Sequence, residues 1–98
     1  MANDQNHPLP QPDENYREYI SEIEPLVQKA APMVGDDRAY LGSLTELAPS
    51  RPVTYERLTP ADWSWLAALE DVVHRHQLSY ELVTNEGGED HLWLVPRH

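Results

Sequence analysis

Cysteine is absent from the chain, which removes disulfides, thiolate nucleophiles and cysteine-ligated metals together. Positive charge is scarce: seven Lys and Arg stand against seventeen Asp and Glu, a formal net charge of −10. Affinity for nucleic acids and anionic lipids comes from Lys and Arg neutralising phosphate, so neither direct nucleic-acid binding nor membrane-surface binding is expected. Glycine numbers only four, none in a G-x-G-x-x-G setting, and Gly87-Gly88 is accounted for by a turn. No apolar run approaches the ~20 residues of a membrane span. The N-terminus, Met1 to Pro8, has neither the basic nor the apolar region of a secretory signal. A cytoplasmic protein is the expectation by elimination.

Catalytic signatures are missing too. No serine lies in G-x-S-x-G, and Gly42-Ser43 alone is not a nucleophile elbow. The many carboxylates lack a reason to be buried in pairs, so no general acid stands out. The expectation is a non-enzymatic protein with no cofactor.

What is present begins at residue 13. Residues 1–12 are polar, with Pro8, Pro10 and Pro12 at alternate positions, and read as a flexible or extended tail that does not match P-x-x-P. Residues 13–98 read as one domain with one core. Tyr16, Tyr19, Ile20, Ile23, Val27 and Ala30 recur at three- and four-residue steps, the stripe of an amphipathic helix. Asp13 suits its N-cap and Glu14 its positive end. Pro25 lies opposite the stripe, where it is expected to kink or divide the helix.

Residues 37–48 fit a short helix through Tyr40, Leu41, Leu44, Leu47 and Ala48, although Tyr40-Gly42-Leu44 also alternates as a strand would. Val53 to Leu58 reads as a strand after Pro52. Thr59, Pro60 and Asp62 then announce a helix: N-cap, first-turn proline and capping-box acid. Its stripe is Trp65, Leu66, Leu69, Val72, Val73 and His76. Two apolar runs, Leu78 to Leu82 and Leu92 to Val95, flank Gly87-Gly88 and predict a β-hairpin. A two-residue turn puts Trp93 opposite Leu82 and into the core; a shift of one residue puts it with Glu81 and Val83 on the other face.

The fold class these elements imply is α+β: two or three helices packed on one face of a small antiparallel-rich sheet that ends in a C-terminal β-hairpin. The core is thin for this length, so further burial in a homodimer fits the pattern. The last helix carries only Arg75 as a base beside Asp62, Glu70 and Asp71, which argues against DNA reading.

Three candidate surface groups emerge. Net charge is −4 over residues 1–35, −1 over 36–59 and −5 over 60–98. Glu14, Glu18 and Glu22 step by four along the first helix, where like charges oppose helix formation and therefore serve another purpose. Glu86, Glu89 and Asp90 cluster at the hairpin tip, and Trp63 with Glu70 forms a flank away from the apolar stripe. These eight residues are the candidates for docking a protein partner with a basic surface. The alternative is a small metal- or ligand-binding domain using His74, His76 and His91, although His74 and His76 diverge on a helix.

Overall fold

Helix α1 (Tyr16–Ala30) buries Tyr19, Ile23, Val27 and Ala30 on one side, as the spacing of its apolar residues requires. The computed structural model describes residues 15–97. The N-terminal tail, Asp13 and Glu14 lie outside them. Pro25 does not divide α1. It sits on the exposed side of the helix, as does Ser21, whose carbonyl loses its helical partner to the proline.

Residues 37–48 combine both readings of their sequence. Strand β1 (Ala39–Ser43) is followed at once by a single turn, α2 (Leu44–Leu47). The switch has a local cause. Ser43 accepts a hydrogen bond from the Glu46 backbone and Glu46 returns one from Ser43, a capping box that starts the turn. Gly42 lies where the β1 register shifts, at φ 154°, and a Cβ there would come within 3.0 Å of the Leu47 side chain. A helix across the whole segment is therefore corrected to strand and turn, which moves Tyr40 from a core stripe to an exposed strand position.

The expected strand at 53–58 is also corrected. Tyr55–Arg57 forms a 3₁₀ turn instead. Its backbone donors are spent elsewhere: Tyr55 N–H on the Asp90 carboxylate at 2.6 Å, Arg57 N–H on the Thr54 carbonyl at 2.9 Å.

Helix α3 (Pro60–Arg75) begins as its sequence announces. The Thr59 hydroxyl accepts from Asp62 N–H, and the Asp62 carboxylate accepts from Thr59 N–H. Trp65, Leu66, Ala68, Leu69, Val72 and Val73 are buried. At its end Gln77, at φ 61°, turns the chain into the sheet. His76 there meets the Glu24 carboxylate of α1 at 2.8 Å, tying the two helices together.

Strands β2 (Leu78–Thr84) and β3 (Asp90–Pro96) form the hairpin, and the three-stranded antiparallel sheet has the order β1-β3-β2. The two main helices pack on one face of it. Residues 85–89 form the hairpin loop, closed by Asn85, whose side chain accepts the Glu89 N–H at 2.9 Å. Leu82 pairs with Leu92 and Glu81 with Trp93. That register sends Leu92 and Leu94 to the helices, where both are fully buried, and Trp93 to the opposite face. No helix among the described residues is long and apolar enough to cross a membrane.

Candidate functional site: the open face of the sheet

Helices line one side of the sheet, so the alternate residues of each strand are left facing outward. On β3 these are His91, Trp93 and Val95; on β2, Ser79, Glu81 and Val83; on β1, Tyr40. Tyr40 is 47% exposed, and the rest are half-buried or open. Aromatic residues gather at the centre of this face. The Tyr40 ring stands edge-on to Trp93 at a centroid separation of 5.0 Å and tilts over His91 at 5.7 Å. Arg38, just before β1, lays its guanidinium over the Trp93 ring at 4.3 Å and reaches the Glu81 carboxylate at 3.3 Å.

Hydrogen bonds fix the orientation of the group. The Asn85 carbonyl oxygen accepts the Glu89 N–H, which leaves the Asn85 amide nitrogen facing His91 Nε2 at 3.1 Å. The amide donates there, so in the neutral ring Nδ1 carries the proton and donates to the Tyr40 oxygen at 2.8 Å. Glu89 adds a carboxylate oxygen 3.5 Å from Nε2. A face built this way loses little side-chain freedom when something lands on it.

On the helix side of β2 the surface is different. A cleft of about 610 Å³ opens between the 3₁₀ turn and the hairpin, lined by Thr54, Tyr55, Glu56, Leu82, Thr84, Gly88 and Asp90. Trp63 packs its ring edge-to-face with Tyr55 at 5.4 Å, and Tyr55 is 44% exposed. Tyr80 lies within electrostatic reach of Tyr55 and Glu70. Its phenol is raised above the usual 10.0, first by burial, then by the charges of Glu70 and Tyr55.

The fold prefers the neutral phenol, so Tyr80 contributes its full stability below about pH 10 and loses it as pH rises toward the raised value. Tyr80→Phe should make the fall in stability above about pH 10 shallower in urea titrations, without abolishing it, because Tyr16 and Tyr40 are raised as well. An unchanged fall would contradict the placement of Tyr80.

Glu18 and Glu22 are exposed on α1, beside Arg17 and Ser21, and Glu14 lies outside the described residues. Trp63 is half-buried under Tyr55. Glu70 is exposed on α3. Glu86 stands at the hairpin tip, and Glu89 turns back to His91. Asp90 needs correction as a surface candidate: it is 4% exposed. Being one residue before His91, it points to the helix side, where its oxygens accept from Tyr55 N–H and the Thr84 hydroxyl. The three histidines do not meet. His74 is exposed on α3, His76 binds Glu24, and His91 belongs to the open face. Among the described residues no three of His, Asp and Glu group as metal ligands do.

Arg38 and Tyr40 are the functional candidates that pattern reading missed. The available signal was Ser43-Leu44-Thr45-Glu46, a capping box that starts a turn at Leu44 and frees Tyr40 to lie in a strand. No protein-family model, curated protein or solved structure matches the chain.

Proposed function

We propose that this protein is a non-enzymatic interaction module that docks a basic surface of a partner protein onto the open sheet face and the acids around it. One observation carries the reading: Arg38 lies over Trp93 while pairing with Glu81. The face thus already holds a guanidinium between an aromatic ring and a carboxylate, the chemistry by which a partner's Arg or Lys is recognised. The charge balance supports it. Glu18, Glu22, Glu46, Glu56, Glu70 and Glu86 form no ion pair among the described residues, and such acids steer a basic partner in.

The test is capture of a partner from native lysate with the full chain at about 50 mM and 500 mM salt, conditions on either side of strong screening. Salt-sensitive recovery of a basic protein, lost with Trp93→Ser, is the expected result. Recovery that ignores both salt and Trp93 contradicts the reading.

A further inference from the structure

β2 is an edge strand. Its inner side pairs with β3 along all seven residues, and no described strand pairs with its outer side. The strand carries little of what normally blunts an edge: it contains no proline, no bulge is recorded in its pairing, and Glu81 is its single charge. Both surfaces flanking the edge are built for side chains. Toward the helices, Leu78, Tyr80 and Leu82 are only partly buried, and Tyr55 and Trp63 form an aromatic wall beyond them. Toward the open face stand Ser79, Glu81 and Val83.

We infer that the β2 edge accepts an extended, basic segment of a partner protein as a fourth strand, with a Lys or Arg opposite Glu81 and apolar residues on either side of it. The inference rests on the proposed docking of a basic partner and specifies where and how that partner binds. Backbone hydrogen bonds along the edge give affinity, and the alternation of side chains gives selectivity. A Lys or Arg opposite Glu81 makes a favourable cross-strand pair by sharing that exposed carboxylate with Arg38, whose guanidinium already covers the Trp93 ring. Its two neighbours turn to the other face and meet Tyr80 and Leu82. Glu70, close enough to act on Tyr80, adds acid at that border.

Charge also decides against a second copy of this chain. Glu81 is the central residue of β2, so full two-fold pairing of two β2 strands sets Glu81 directly opposite itself. The exposed Arg38 pair offsets each Glu81 only in part, and two molecules at −10 repel, so pairing of two copies is opposed.

The probe is an end-capped peptide alternating lysine and valine, titrated into the full-length protein with amide shifts and amide exchange followed by NMR. Controls are the same peptide with alternate backbone nitrogens methylated, and a glutamate–valine peptide. Slowed exchange at outward β2 amides is expected with the lysine peptide only. Glu70→Gln combined with Glu81→Gln should weaken it on the order of tenfold, while Glu18→Gln with Glu22→Gln should leave it within about twofold. If the methylated peptide binds equally and shifts fall on α1, strand addition is overturned while acidic docking stands. If no basic peptide binds even at low salt, both are overturned. Protection of the β2 edge that rises with protein concentration alone overturns the inference in favour of a second copy. Protection already complete in the dilute, peptide-free chain overturns it in favour of the chain covering its own edge.

Discussion

Asp62→Ala is expected to destabilise the fold by about 3–4 kcal/mol, more than any other single carboxylate replacement among the described residues. The carboxylate is fully buried, and all of its environment is organised around the charge. One oxygen accepts the Ser50 N–H at 2.9 Å; the other accepts both the Thr59 N–H and the Thr59 hydroxyl, each at 3.0 Å. Alanine removes the acceptor and leaves two backbone donors in a place with little water. Hydrogen bonds to charged groups contribute about 1.5–3 kcal/mol each, and partial rehydration recovers some of their sum. The capping box keeps only the Thr59 hydroxyl bond to the backbone N–H of residue 62, so the start of α3 loosens and the chain around Ser50 detaches from it. In a domain of this size each kcal/mol lowers the melting temperature by roughly 4–8 °C. Asp62→Asn keeps one acceptor but points an amide NH₂ where another donor sits, so it should recover only the smaller part. Thermal and urea unfolding of both variants measure this. A loss under about 1 kcal/mol for alanine would show that Asp62 is not the joint described.

Asp90→Ala should cost about 2–3 kcal/mol through a different joint. Asp90 connects three pieces: its own strand β3, the Thr84 hydroxyl across the hairpin, and the Tyr55 N–H of the 3₁₀ turn. Without the carboxylate the hairpin pairing persists, because its ladder is backbone. The turn loses its tether. The expected signature is therefore local as well as global: faster amide exchange at Tyr55 and a change in Trp63 emission, since Tyr55 packs on that ring. Stability lost evenly, with no excess exchange at Tyr55, would contradict this role. The variant also bears on function, because the turn carries the aromatic wall beside the β2 edge.

These two acids show how far sequence reached. Asp62 was legible because a capping box is local: Thr59 and Asp62 sit three apart, and Pro60 marks the first turn. The class of fold was legible for the same kind of reason, since the stripes of α1 and α3 and the apolar runs of the hairpin are periodic signals within single elements. Asp90 was not. Among Glu86, Glu89 and two glycines it looks like one more acid at a turn, and its burial depends on Tyr55, thirty-five positions away. Trp93 was undecided because register inverts with one residue of loop, and the Asn85–Glu89 closure that sets the loop is itself a side-chain contact. Tyr40 was left between helix and strand because its apolar neighbours satisfy both periods, and the capping box that separates strand from turn lies just beyond it. The candidate site fared worse than the fold for a physical reason. Its central group brings together Arg38, Tyr40, Glu81, Asn85, His91 and Trp93 from three strands and their loops, so no window of the chain contains it.

The acid total of −10 likewise became more specific once folded. Asp62 and Asp90 are structural, Glu24, Asp71 and Glu81 are engaged by Arg or His within the molecule, and Glu89 lies beside His91. The remaining surface acids, together with the aromatic face, are what a basic partner would meet.

The most direct measurement is a side-chain footprint of the protein with and without its captured partner, reading oxidation at Tyr40, Trp93 and Trp63 by mass spectrometry. Docking on the open face predicts strong protection of Tyr40 and Trp93 in the complex, reversed by high salt. Unchanged oxidation of Tyr40 and Trp93 in a complex that is demonstrably formed would contradict it.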